Sequence, residues 1–330
     1  MTVNNDRIGE FDVIEDIFSP LSINAPGAFG LTDDAAVMSV ASGLEMVITK
    51  DAMVAGVHFL ENDSPENIAK KLLRTNLSDL AAMGAKPVSY LLATAWPDTC
   101  DVAWIRRFAN GLSEDQKKYN VSLIGGDTVK TSGPLTLSLT LLGTVETGKS
   151  LRRNGAKAGD LVCVSGTIGD AALGLLVALQ KLAISDDSEK KFLLGRYFVP
   201  DPRVLLGSAL TGIASSCIDI SDGLLADIGH ICRQSNLGAV IERSKIPLSP
   251  ATQNVILKDP ALGERILSGG DDYELAFTVS KERYSEIVRK AKILNINISV
   301  IGEMVCETGV SVLDEAGLKI STTSNGWAHF

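Results

Sequence analysis

The sequence predicts an α+β protein of two domains, and three observations predict it. At 330 residues the chain exceeds the ~100–200 residues of one ordinary domain. Apolar residues recur with period 2 in some segments and period 3.6 in others, in both halves, without strict βαβ alternation. The composition then turns polar and Gly-rich at TGKSLRRNGAKAGD, residues 147–160. A boundary there divides the chain into residues 1–147 and 148–330.

Taken in order, residues 11–18 carry Phe11, Ile14 and Ile17 at helical spacing and predict a short first helix. A Pro/Gly/Ser-rich loop, 19–30, leads to Asp33 and Asp34, and two strands follow at 35–40 and 44–49. The second opens the stretch VITKDAMVAGVHF and breaks at Thr49-Lys50-Asp51. Ser64-Pro65-Glu66 starts a helix, with a capping hydroxyl, proline in the first turn and an acid at the positive dipole end. Ile68, Leu72, Leu73, Leu77 and Leu80 form its apolar face, and Asn76 and Asp79 project from neighbouring turns. A strand at 89–95, a helix at 101–119 and a strand at 121–124 lead into Gly125-Gly126-Asp127. Alternation over 135–145 makes a long strand.

The second half restarts with strand LVCVSG and an Ala/Leu-rich helix from Gly169. Helical stretches at 190–198 and 203–214 precede strand CIDI and a helix opening at Ser221-Asp222-Gly223. Later strands fall at 239–242, 274–279, 298–301 and 310–313.

A net charge of −9 provides no basic footprint for nucleic acid or an anionic membrane surface. Five scattered cysteines without a CxxC read as reduced core thiols of a cytoplasmic protein. The acidic N-terminus lacks a signal-peptide pattern, and no apolar run approaches the ~20 residues of a membrane span.

Aspartates recur at element ends beside Gly or Ser: Asp33-Asp34, Asp51, Asp127, Asp219 with Asp222, and Asp271-Asp272. Each taken alone is a cap or turn residue. Together they point to an acidic site gathered from distant parts of the chain. Mg²⁺ prefers oxygen ligands, commonly one or two carboxylates plus substrate phosphates, and Asp34, Asp51, Asp79, Asp127, Asp219 and Asp222 are suitable if they converge. A literal phosphate-loop pattern, Gly143 to Ser150 in GxxxxGK[ST] spacing, competes. That motif needs a helix after it, whereas the continuation LRRNGAKAGD reads as turns, and Glu146 would sit in a loop meant for anions.

In chain order, GLTDDAAV, TKDAMVAGVHF, NLSDLAAMGA, LIGGDT, IDISDGL, SGGDDYEL and NGWAHF resemble the motifs of thiamine-monophosphate kinases over nearly the whole chain. Those enzymes belong to the aminoimidazole ribonucleotide synthetase-like superfamily. The resemblance implies two α+β domains, an N-terminal one for ATP, Mg²⁺ and dimerisation, whose sheets pair across a homodimer, and a C-terminal one. It implies in-line transfer of the γ-phosphoryl of ATP to thiamine monophosphate. By position, Asp34, Thr49, Lys50, Asp51, Asp79, Asp127, Asp219 and Asp222 would hold several Mg²⁺ ions, Lys50 through its backbone carbonyl, with Asp51, Asp79 and Asp222 central to catalysis. Gly126, Asp127, Arg153 and Ser221 would bind ATP, and His58, Asp271 and Trp327 thiamine monophosphate. Lys50 stands where many relatives have Thr, Asp271 where Glu is usual, and Thr32 where Gly is usual. The alternatives are another ATP-dependent member of the superfamily with a different acceptor, and a non-catalytic protein that binds metal or nucleotide.

Overall fold

The computed structural model of the chain describes residues 10–320, which divide into two compact units. The first takes the chain up to Leu77 and then Pro87–Thr144; the second takes Ser78–Lys86 and the chain from Val145 on.

In the first unit, α1 (Glu10–Val13) runs into a π-helical turn, Ile14–Phe18. There follow β1 (Leu44–Val54), α2 (Pro65–Ala82), β2 (Lys86–Trp96), α3 (Val102–Tyr119), β3 (Ser122–Lys130) and β4 (Thr136–Glu146). The sheet order is β1-β4-β2-β3. Strand β4 shows why it lies inside: Leu137, Leu139 and Leu141 are fully buried while the intervening Ser138 and Thr140 are not, the alternation of a strand with one core face. Helix α3 begins where the Asp101 carboxylate accepts the Trp104 N–H at 2.7 Å and ends at Asn120, in the left-handed region at φ 53°. Ile68, Leu72, Leu73 and Leu77 of α2 and Phe108 and Leu112 of α3 are buried. Between the two helices, Arg74 clasps the buried Asp115 with two hydrogen bonds of 2.6 and 2.7 Å.

The second unit contains β5 (Leu161–Ser165), α4 (Asp170–Ala178), α5 (Asp187–Phe198), α6 (Val204–Leu210), β6 (Ser216–Asp219), α7 (Leu224–Ser235) and β7 (Gly238–Glu242). It continues with α8 (Pro250–Lys258), α9 (Gly263–Ser268), β8 (Leu275–Val279), α10 (Tyr284–Ile293), β9 (Ile298–Val305), β10 (Gly309–Leu313) and β11 (Lys319–Ile320). Among the described residues seven strands form a mixed sheet, β11-β10-β7-β9-β5-β8-β6, in which β10 and β7 run parallel and the other neighbours antiparallel. Both faces are covered. Val162, Val164, Ile218 and Ala276 pack with Leu224, Ile228 and Ile231 of α7, while Cys163, Cys217 and Phe277 pack with Leu206 of α6 and Ile287 of α10. This explains the near-continuous apolar runs of β5, β6 and β8. Strand β6 ends the sheet, and its Cys217 N–H donates to the Arg152 carbonyl at 2.8 Å, so the linker covers part of an otherwise open edge.

Four local expectations are corrected. Residues 35–40 form no strand; the segment is held by the Val37 N–H on the Gly27 carbonyl, and Val37, Met38 and Val40 are exposed. Their apolar character marks an uncovered surface, not a core strand. Strand β1 does not break at residues 49–51 but continues to Val54, because backbone pairing tolerates polar side chains on a strand. Gly125, Gly126 and Asp127 lie within β3, not after it. The helix expected over 203–214 closes at Leu210. Helices α8, α9 and α10, whose apolar stripes are short, escaped the sequence reading.

Candidate active site

In the first unit, β2 and β3 pair in parallel, and the register shifts between Tyr90 and Leu91. Immediately beyond this irregularity Gly125, Gly126 and Asp127 face Leu91, Leu92 and Ala93. Such a shift re-aims the backbone. Only glycine fits at position 126, since a Cβ there would collide with the Leu92 carbonyl. Asp127 is thereby carried to an exposed position at the rim of a cavity of about 780 Å³, lined at its polar end by Asp33, Asp34 and Gly126 and elsewhere by Phe18 and Leu123. A cavity with mostly apolar walls and few convergent polar groups is the usual form of a small-molecule site.

On β1, alternation puts the side chains of Thr49 and Asp51 on one face and Lys50 on the other. The Lys50 ammonium donates to the Ser138 hydroxyl at 2.9 Å, and that hydroxyl donates to the Asp51 carbonyl at 3.1 Å. The strand thus ties the Asp51 backbone to β4. Beyond its end, the Val54 N–H donates to His58 Nδ1 at 3.0 Å, so a neutral imidazole carries its proton on Nε2.

The second unit gathers a denser set of carboxylates. Ser78, in the last turns of α2, donates its hydroxyl to the buried Asp219 at 2.8 Å. Burial, and then the charge of Asp79, push Asp219 well above the ordinary carboxylate range. From Ile220 the chain turns through Ser221, Asp222 and Gly223 into α7. One oxygen of Asp227 accepts the N–H groups of all three residues, Ser221, Asp222 and Gly223, each at 3.1 Å. Burial and Asp222 push Asp227 up to about 7, against these amides, which pull it down. Asp227 was missed in the sequence. Its signal was a carboxylate in the first turn of a helix opened by Gly223, where it binds orphan amides.

A second loop docks on the first. The Asp271 N–H donates to the Ser221 carbonyl at 2.9 Å and the Tyr273 N–H to the Ile220 carbonyl at 2.8 Å. Asp271 and Tyr273 both occupy the left-handed region, at φ 69° and 50°, a conformation costing about 1–3 kcal/mol each for such residues. Tyr273 also donates its hydroxyl to Asp271 at 3.2 Å. Asp272 points elsewhere: it is buried and accepts the Gly169 and Ala171 N–H groups at 2.7 and 3.2 Å, capping α4. Glu274 is likewise structural, held by Arg196, Arg203 and the Ser165 hydroxyl.

The structure therefore brings Asp79, Asp219, Asp222, Ser221 and Asp271 together in the second unit, and Asp34, Gly126 and Asp127 around the cavity of the first. Thr49, Lys50, Asp51 and His58 lie on or just past β1. Arg153 lies exposed in the linker beside α7, and Trp327 falls outside the described residues. The phosphate-loop pattern folds as a turn closed by the Lys149 N–H on the Glu146 carbonyl, and no helix follows before β5. Helix dipole and loop amides therefore do not converge there.

Among the described residues no group of three or more His, Cys, Asp or Glu side chains is placed to hold a metal ion. Mg²⁺ is commonly held by one or two carboxylates plus substrate phosphates, and the neighbouring Asp79 and Asp219 supply such a pair.

Residues 32–145 match the AIR synthase related protein, N-terminal domain, and residues 157–315 the AIR synthase related protein, C-terminal domain. A thiamine-monophosphate kinase of Caulobacter vibrioides is 44% identical over 97% of this chain and 90% of its own. The crystal structure of thiamine-monophosphate kinase from Stenotrophomonas maltophilia K279a superposes with a TM-score of 0.84 at 37% identity, covering 92% of this chain and 96% of that one. The structure of AaThiL complexed with AMPPCP and TMP gives a TM-score of 0.78 at 30% identity over the whole of both chains. Two AIR synthase related domains, the acidic loops in their places and this likeness along nearly the full length have one reading: the chain belongs to the thiamine-monophosphate kinase family.

Proposed function

We propose that the protein transfers the γ-phosphoryl group of ATP directly to the phosphate of thiamine monophosphate, giving thiamine diphosphate and ADP. The observation that carries this is the nearly full-length match to thiamine-monophosphate kinases, with one neighbour complexed with AMPPCP and TMP. The acceptor is already an ionised phosphate, so no side chain has to generate a nucleophile. Catalysis rests on positioning and charge neutralisation.

In this reading Gly126 and Asp127 at the cavity rim, with Arg153 and Ser221, receive ATP. Asp34, Thr49, Asp51, Asp79, Asp127, Asp219 and Asp222, with the Lys50 carbonyl, hold Mg²⁺. When bound, the ions neutralise phosphate charge as it shifts between donor and acceptor oxygens. Asp227 keeps the Ser221–Gly223 amides in one arrangement, and the strained Asp271 loop, with His58 and Trp327, receives thiamine monophosphate. Residues 1–147 serve as the domain for ATP, Mg²⁺ and dimerisation and residues 148–330 as the C-terminal domain. The domain of Leu44 and Ile48 also exposes Val37, Val57 and Val129, apolar area that pairing of N-terminal sheets across a homodimer would cover. Free thiols at all five cysteines support a cytoplasmic setting. No helix among the described residues is long and apolar enough to cross a membrane.

The test is to mix the protein with Mg-ATP and thiamine monophosphate and assay for thiamine diphosphate, which should accumulate with equimolar ADP. ATP turnover that requires a different acceptor would favour another activity of the superfamily. Sedimentation of the active enzyme should give a dimer; a fully active monomer would overturn the proposed pairing.

A further inference from the structure

The strained loop that meets Ser221 is held from behind by a side chain outside the acidic site. Arg196, in the last turn of α5, donates from Nη2 to the Asp272 carbonyl and to Glu274 Oε1, each at 3.0 Å. Helix α5 is itself fixed, because Gly174 of α4 lies so close to the Leu193 carbonyl that a Cβ would collide with it. A competing acid, Asp170, is fully buried and lies 3.9 Å from the Arg196 Nε. The Thr167, Ser249 and Thr252 hydroxyls all donate to Asp170, so that carboxylate is satisfied without an arginine. The Arg196 Nε is buried and donates to no group among the described residues. The guanidinium therefore forgoes a close pairing with Asp170 and makes its hydrogen bonds to the loop.

The loop needs such a hold. Asp271 and Tyr273 sit in the left-handed region, which residues with a side chain keep only where their surroundings enforce it. Between them Asp272 faces the other way: its carboxylate caps α4 while its carbonyl receives Arg196. Glu274, next along the chain, is clamped by Arg196 and Arg203. Positions 272 and 274 are thus anchored in the interior, and the Asp271 and Tyr273 amides bond the Ser221 and Ile220 carbonyls. Taking away the Arg196 donor removes one of the holds on Asp272 and lets the left-handed residues on either side relax.

We infer that Arg196 is a positioning residue for the acceptor: through the Asp272 carbonyl and Glu274 it keeps Asp271 in the one backbone conformation that presents its carboxylate to thiamine monophosphate. This rests on the reading of Asp271 as part of the thiamine monophosphate site. Arg196 acts through the loop and binds no substrate itself.

The experiment measures equilibrium binding of thiamine monophosphate and of ADP with Mg²⁺ to the full chain, together with backbone amide exchange at Asp271 and Tyr273. Arg196→Gln should weaken thiamine monophosphate binding about tenfold or more, leave ADP binding within about twofold, and speed exchange at both loop residues. Arg196→Lys, which keeps a cationic donor for the Asp272 carbonyl, should recover most of the loss. Adding Arg196→Gln to Asp271→Asn should weaken binding no further than Asp271→Asn alone, since both act on one contact. Leu210→Ala, a truncation in the core beside α10, should lower the unfolding midpoint yet leave thiamine monophosphate affinity unchanged, which separates positioning from a general loss of stability. Unchanged thiamine monophosphate affinity in folded Arg196→Gln, an equal loss for ADP, or losses that add in the double variant would overturn the inference. If Arg196→Gln does not fold, the wild type decides: its Asp271 and Tyr273 amides should be protected before any ligand is added, and free exchange there would overturn the inference. Wild-type protein that binds ADP but no thiamine monophosphate would overturn the acceptor reading and this role with it, while faster exchange in Arg196→Gln would keep the hold on the loop.

Discussion

At the residue scale, Asp222 and Lys149 give opposite expectations. Asp222 precedes α7 in the loop that Asp227 fixes, whereas Lys149 is exposed on a turn with no helix to complete a phosphate site. Asp222→Asn keeps the shape and removes the charge that, in the proposed mechanism, would face Mg²⁺. A loss of about 3–4 kcal/mol of transition-state stabilisation lowers kcat about 10²–10³-fold. Lys149→Met should stay within about tenfold of the wild type, a barrier change of roughly 1.4 kcal/mol or less. Steady-state kinetics on the two folded variants checks the ranking, and the reverse order would overturn the mechanism. Asp79, Asp219 and Asp222, which the structure places near one another, stood out in the sequence because each sits in a motif containing Ser or Gly. Asp227 and Asp272 were not separable from them: both are acids near glycines, and only the three amides on one and the α4 cap on the other reveal supporting roles.

At the element scale, α2 and α3 are joined through an ion pair that is almost fully buried, Arg74 at 8% and Asp115 at 2% exposure. Removing one partner leaves the other charged and without a partner in a site that water does not reach. Arg74→Met should therefore cost about 3–5 kcal/mol, read as a lower denaturation midpoint. Arg74→Met together with Asp115→Leu should recover most of that loss; a double variant no better than the single would show that the pair is not the source. These helices were predictable within a residue or two because local chemistry marks their ends: Ser64-Pro65-Glu66 before one and Asp101 before the other. Residues 35–40 misled for the converse reason. Pattern reading takes Val37, Met38 and Val40 as core, whereas exposed apolar side chains produce the same letters.

At the scale of the whole molecule, several buried acids make stability depend on pH in an unusual direction. Asp227 and Asp272 are pushed up to about 7, and Asp219 well above its ordinary value of 3.8, chiefly by burial. A carboxyl that binds its proton more tightly when folded contributes stability that is complete below the unfolded value and is lost as pH rises through the folded one. For Asp227, about three pKa units, at most about 4 kcal/mol is at stake. His230 acts in the opposite sense, since burial lowers its value, but it is partly exposed and its effect is smaller. The metal-free protein should unfold at a lower temperature at pH 8 than at pH 5. Mg²⁺ with ADP should raise the midpoint more at pH 8, by supplying the missing positive charge. A midpoint that rises steadily from pH 5 to 8 without metal would refute this. The two-unit architecture itself was visible in the polar stretch after β4. The partition of α2 was not, because nothing in its continuous apolar face marks where the helix passes from one unit to the other.

That partition bears on how the gene can be dissected. Because Ser78–Lys86 belongs with the second unit, a fragment starting in the linker would lack the hydroxyl that meets Asp219 and the Ala81 and Ala82 methyls that fill the core beside Leu206 and Leu210. Splitting the reading frame at the linker should yield an insoluble C-terminal piece, however tidy the boundary looks in the sequence. Each unit is interrupted by the other along the chain, so an independently folding version of the second needs the end of α2 restored to it as a short peptide or grafted extension.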